Sequence, residues 1–190
     1  MKTVVIFLLF TTFTYSQTRT LDARIIKINH DTINVKMRVD VNLFKQTLLI
    51  VTSFNKRIRV IDDSGKKKKI QAKLVKELSF TDFDGNYRRF VGYKNDNDLK
   101  EILHDGKIKW YRSYYSDIYG GLQLESDILT DEQNNIVNVG AIGWKKKFRE
   151  MIQSKLSLQN VVITRDNILM IVNKYDEDDD VNDDENENED

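Results

Sequence analysis

The stretch Arg24–Asn42, RIIKINHDTINVKMRVDVN, decides the fold. It opens with a short apolar run, turns a polar corner at Asn29–Thr32, and then alternates strictly. Ile33, Val35, Met37, Val39 and Val41 fall on one side, and Asn34, Lys36, Arg38, Asp40 and Asn42 on the other. A period of two with β-branched residues on the apolar side describes a strand with one wet face. The corner before it makes the stretch the heart of a hairpin.

Outward from this hairpin the same pattern recurs. Arg57–Ile61 and Ile70–Val75 flank Asp62–Gly65, and Glu77–Thr81 and Tyr87–Tyr93 flank Asp82–Asn86; both breaks carry the Asp and Gly that tight turns require. Asp82-Phe-Asp-Gly-Asn faintly echoes a calcium loop, but it lacks the later ligands and the closing glutamate, so it reads as a turn and no metal site is expected. Leu99–Leu103, Lys107–Tyr115, Leu122–Leu124 and Ile136–Val139 continue the strands. The apolar run Leu48–Val51 is either a buried strand or a short helix, and periodicity does not choose between them.

From Trp144 the period changes. Trp144, Phe148, Met151, Ile152 and Lys155 stand three and four apart, predicting an amphipathic helix. A second helix should start near Asp166 and carry Ile168, Leu169, Ile171, Val172 and Tyr175. The expected fold is α+β: an antiparallel β-meander of about seven or eight strands over residues 17–143, packed by a helical pair over 144–175 of the same domain. Residues 176–190 hold 11 carboxylates and no base, which predicts a disordered acidic tail.

Composition narrows the chemistry. The chain of 190 residues has no cysteine and two histidines, which excludes disulfides, thiol nucleophiles and cysteine- or multi-histidine metal sites; no cofactor is expected. Residues 1–16 place Lys2 before the apolar run Val4–Phe10 and a small polar exit, the pattern of a signal peptide cleaved after Ser16. The run is too short to span a membrane, and no later segment approaches the ~20 apolar residues a transmembrane helix needs. The mature chain is therefore expected outside the cytoplasm, in the periplasm, on the outer membrane or secreted. Formal charge is zero overall, yet residues 17–175 carry 29 Lys and Arg against 19 Asp and Glu, an excess of ten positive charges.

Three groups could carry function. Trp110, Tyr111, Tyr114, Tyr115 and Tyr119 could form a stacking platform for a glycan or peptide, although strand aromatics ordinarily divide between core and cross-strand packing. Lys66, Lys67, Lys68 and Lys69 form a basic patch that could hold an anionic partner or could simply guard a strand edge; without interleaved aromatics a nucleic acid is not expected. The carboxylates Asp117, Glu125 and Asp127 could serve a hydrolase acting on envelope sugar or peptide if they converged. Nothing reaches a specific catalytic signature. The expected function is that of an exported, non-enzymatic envelope or surface protein binding an envelope protein, a glycan or another anionic partner, or serving as a structural component of an envelope assembly.

Ile25–Lys36, Gly106–Arg112, the KKFREMI of 146–152 and Asp166–Asp176 together resemble a group of uncharacterised exported proteins of Bacteroidetes. The resemblance implies a β-rich front half and a helical end, and it brings no activity with it. The long acidic tail departs from the group, as does the lack of the cysteine and proline that often stand between the two helices.

Overall fold

The computed structural model describes residues 17–62, 64–93, 96–117 and 122–183. The signal-like segment, Tyr119 and residues 184–190 lie outside them. The described residues carry eleven strands and two α-helices, so the α+β class holds while the expected count of seven or eight strands is too low. One of the additional strands is only two residues long, Leu49–Ile50, too short for alternation to announce. The chain forms two compact units, the first made of residues up to Leu99 with Leu122 and Gln123, the second of Lys100–Asp117 and Leu124 onward.

The first unit holds β1 (Gln17–Lys27), β2 (Thr32–Val41), β3 (Leu49–Ile50), β4 (Arg57–Ile61), β5 (Lys67–Gln71), β6 (Val75–Thr81) and β7 (Tyr87–Gly92). Their order is β7-β6-β1-β2-β4-β5, with β3 added to β2. This is not the simple meander expected, because β1 pairs with β2 over Gln17–Ile26 and with β6 over Ala23–Lys27. Only the 3-10 turn Ala72–Leu74 links β5 to β6. Four strand spacings in a flat sheet would be roughly 19 Å, and the four Cα steps from Gln71 to Val75 reach at most about 14 Å. The sheet therefore curls.

Met37, Val39 and Val41 are fully buried, as the alternation of β2 demands, and Leu21, Ile25, Ile58, Val60 and Leu78 join them. Phe54, Phe80 and Phe90 close this core as a triangle, with ring centroids 5.3–5.8 Å apart. The run Leu48–Val51 resolves into β3 and a 3-10 turn at Val51–Ser53, held by Gln123 Oε1, which accepts the Val51 and Thr52 amide hydrogens.

Three turns of the chain share one local chemistry. At Asp62, Asp82 and Asp131 the carboxylate Oδ1 accepts the backbone N–H four residues on. The residue three on, Gly65, Gly85 or Asn134, sits at φ +80°, +87° or +63°. Glycine and asparagine tolerate that region, and the aspartate replaces a backbone acceptor. These turns were legible because everything that fixes them lies within five residues.

The second unit holds β8 (Leu99–Asp105) and β10 (Gln123–Thr130), the first residue of each counted with the first unit, together with β9 (Lys109–Ser116) and β11 (Ile136–Asn138), in the order β11-β10-β9-β8, with α1 (Trp144–Ile152) and α2 (Ile168–Asp183). Phe148 and Ile152 of α1 and Ile168, Ile171 and Val172 of α2 bury against Ile108, Leu129 and Val137, with Leu158 and Ile163 from the connection between the helices. The helical pair thus seals this sheet, as its apolar stripes require. Asn167 rather than Asp166 secures the start of α2, accepting the Thr164 N–H and donating to the Val162 carbonyl.

The acidic segment does not begin outside the fold. Helix α2 runs on to Asp183, and Asp176 sits 2.7 Å from His104 Nε2 while accepting the Lys107 N–H at 3.1 Å. These bonds tie α2 to the turn between β8 and β9, and they explain why that turn needs Gly106. A Cβ there would overlap Asp176 Oδ2 and lie 2.5 Å from His104 Nε2. Gly106→Ala and Asp176→Ala should each destabilise the protein by about 1–3 kcal/mol. The double variant should cost little more than either, because both remove the same tie. Additive losses in chemical denaturation would show that Asp176 does not hold the turn.

Candidate functional site

The wet side of the curled sheet in the first unit gathers most of the chemistry available there. Antiparallel register puts paired residues on the same face, about 4.8 Å apart. One row across the sheet reads Lys69, Arg59, Arg38, Thr20, from β5 to β1. The next reads Lys67, Ile61, Lys36, Asp22, and a third reads Asn34, Arg24, Ser79, Arg89 through β6 to β7. Acidic groups answer some of this charge. Arg59 meets Asp40 at 2.6 Å, where Thr18 also donates, and Arg89 meets Glu77 at 3.1 Å. Arg24, Lys36, Arg38, Lys67 and Lys69 stand outside those pairs. A recess of about 810 Å³ opens on this face, lined by Asp22, Arg24, Asn34, Lys36, Ser79 and Tyr87 and bordered by the β4–β5 turn.

The lysine run is placed by β5, which ends the strand order. The expected strand 70–75 is shifted: β5 begins at Lys67 and stops at Gln71, so these lysines lie within the strand rather than before it. Lys66 closes the turn through its backbone. Of the strand's three lysines, Lys68 alone faces the core row, opposite Val60, and reaches 2.7 Å to Asp62. That ammonium, with the Ser64 hydroxyl and the Lys66 N–H, holds the Asp62 carboxyl well below the usual carboxylate range. Lys67 and Lys69 project to the wet face and extend the cationic rows. The run is thus both a charged edge that resists pairing with other strands and the rim of a basic surface.

The described aromatic residues of the cluster do not share one face. Along β9 the alternation sends Trp110 and Tyr114 to one face and Tyr111 and Tyr115 to the other. Trp110 packs against the core beneath the helices, Tyr114 is buried with its hydroxyl donating to Glu101, and Tyr111 pairs in register with Ile102. Tyr115 is about half exposed, and Tyr119 falls outside the described residues.

Glu125 and Asp127 do converge, but on Arg112. The guanidinium donates to both Asp127 oxygens, at 2.7 and 3.0 Å, and lies 3.1 Å from Glu125. The Asp127 bonds raise the Arg112 pKa further above its already basic range, against the opposing effect of burial. The arrangement is a fixed ion cluster that joins β9 to β10. Among the described residues no group of three or more acidic or histidine side chains could hold a metal ion.

Sequence reading found the lysine run and missed Arg24, Lys36 and Arg38 as its partners. The signal was present in the polar half of β2, but the register that aligns those residues with β4 and β5 is not a local property. Compared with protein-family models, curated proteins and solved structures, the chain matches none of them.

Proposed function

We propose that the chain is an exported, non-catalytic binding protein that holds an anionic glycan on the wet face of its first unit. The observation that carries this reading is the register itself, which brings Lys69 and Arg38 into one row and Lys67 and Lys36 into the next. A partner with repeated negative charge would meet several cations at once, and the recess beside Arg24 offers Asn34 and Tyr87 as hydrogen-bonding groups for its hydroxyls. Residues 17–99 alone carry 18 Lys and Arg against 10 Asp and Glu, and this local excess adds an attraction of the same sign. The signal-like segment supports export, and recovery of a chain beginning at Gln17 from the producing cells would test that part directly.

Binding is tested with immobilised polygalacturonate, using dextran as the uncharged control. The chain should be retained at low ionic strength and released by about 0.5 M salt, because exposed charges lose most of their attraction once the Debye length falls to a few ångströms. The triple variant Arg24→Glu, Lys36→Glu, Arg38→Glu should bind at least about tenfold more weakly. Retention that ignores salt, or survives this charge reversal, would refute the reading.

A further inference from the structure

The loop Asn42–Leu48 presents its apolar side chains outward. Phe44 is 95% exposed, and Leu43 and Leu48 are 42% and 49% exposed. None of the described residues covers the phenyl ring, although a core built from phenylalanines lies in the same unit. The loop is nevertheless fixed. Asn42 Oδ1 accepts the N–H groups of Phe44 and Lys45 at 2.9 and 3.0 Å, and the Leu48 N–H donates to the Lys45 carbonyl at 2.8 Å. The Asn42 N–H donates to the Leu48 carbonyl, and Arg19 Nη1 donates to the Gln46 carbonyl. These bonds hold the tip in one shape, so its apolar side chains are presented without a further ordering cost.

We infer that this loop is a membrane-interface anchor that seats Phe44, Leu43 and Leu48 in the headgroup region of an anionic bilayer. Charge complementarity favours that occupant. Lys45 is exposed and follows Phe44 in the chain, Arg19 braces the loop from β1, and residues 17–99 carry 18 Lys and Arg against 10 Asp and Glu, which is the combination that draws a peripheral protein to anionic lipid. A second copy of the chain is disfavoured on the same ground, because a two-fold contact through the tip would bring Lys45 toward its own equivalent. The attachment is peripheral: among the described residues no helix is long and apolar enough to cross a membrane. This inference does not depend on the glycan reading, since the loop and the cationic rows are different surfaces.

The test uses the full chain carrying Phe44→Trp, so that the readout comes from the loop itself and not from another attachment point. Mixed with vesicles of phosphatidylcholine and about one quarter phosphatidylglycerol, whose acyl chains are brominated, the indole added by this substitution should emit further to the blue and be quenched relative to the wild-type signal. Lys45→Glu in this background should weaken vesicle binding several-fold, and Phe44→Asp in the natural chain should lower it at least about tenfold. Polygalacturonate retention should be unchanged in both, which separates failure here from failure of the glycan reading. An added indole that escapes quenching would overturn the inference, as would equal vesicle binding by Phe44→Asp. Concentration-dependent dimerisation abolished by Phe44→Asp, without vesicle binding, would overturn it too and reassign the loop to a protein contact.

Discussion

Phe90→Ala should cost about 3–5 kcal/mol of stability, the largest loss expected from any single truncation in the first unit. Phe90 is fully buried, stands edge-on to Phe54 at 5.3 Å and stacks on Phe80 at 5.7 Å. The remaining two rings brace each other at 5.8 Å, so they cannot collapse into the space left behind without losing their own packing. The cavity term therefore adds to the lost transfer energy. Phe44→Ala supplies the control: the same chemical deletion at a 95% exposed position should change stability by less than about 0.5 kcal/mol. Denaturant titration followed by far-ultraviolet circular dichroism compares the two. A loss below about 1 kcal/mol at Phe90 would mean that the aromatic triangle does not organise this core.

Arg112→Met should cost about 2–4 kcal/mol, somewhat below the range for fully buried pairs because the arginine side chain remains 27% exposed. Removing the guanidinium leaves Glu125 and Asp127 facing each other across the space it filled, two negative charges with their shared cation gone. The Asp127 pair matters most, since it is bidentate and its carboxylate is 16% exposed against 46% for Glu125. Glu125→Gln should accordingly be mild, within about 1 kcal/mol, and Asp127→Asn clearly worse. Equal effects of the two substitutions in thermal denaturation would contradict this ranking.

Much of the fold is legible in the chain because its causes are local. Period-two alternation in β2 names the residues that the structure buries, and the aspartate turns at 62, 82 and 131 are set by side chains a few positions from the backbone they bind. What is not legible depends on partners distant in sequence. Nothing within β1 announces that its second half pairs with β6, which is what breaks the meander. The division into two units likewise comes from tertiary contacts and not from a linker rich in glycine or proline. At the C-terminal end, a run of carboxylates with few apolar residues reads as a segment that cannot offset its own ordering entropy. Asp176 escapes that reasoning because His104 and the Lys107 amide receive it, partners 72 and 69 residues away. The candidate site follows the same rule, for the lysine run is contiguous whereas the rows completing it are assembled by register.

The uneven placement of indole groups has a practical consequence. Trp110 and Trp144 both belong to the second unit, and the first contains none. Light absorbed near the red edge of the protein spectrum therefore excites the second unit and leaves the first silent. An emission melting curve would follow the helix-sealed unit by itself, and its comparison with dichroism, to which both halves contribute, would reveal whether the two lose their structure together or in sequence.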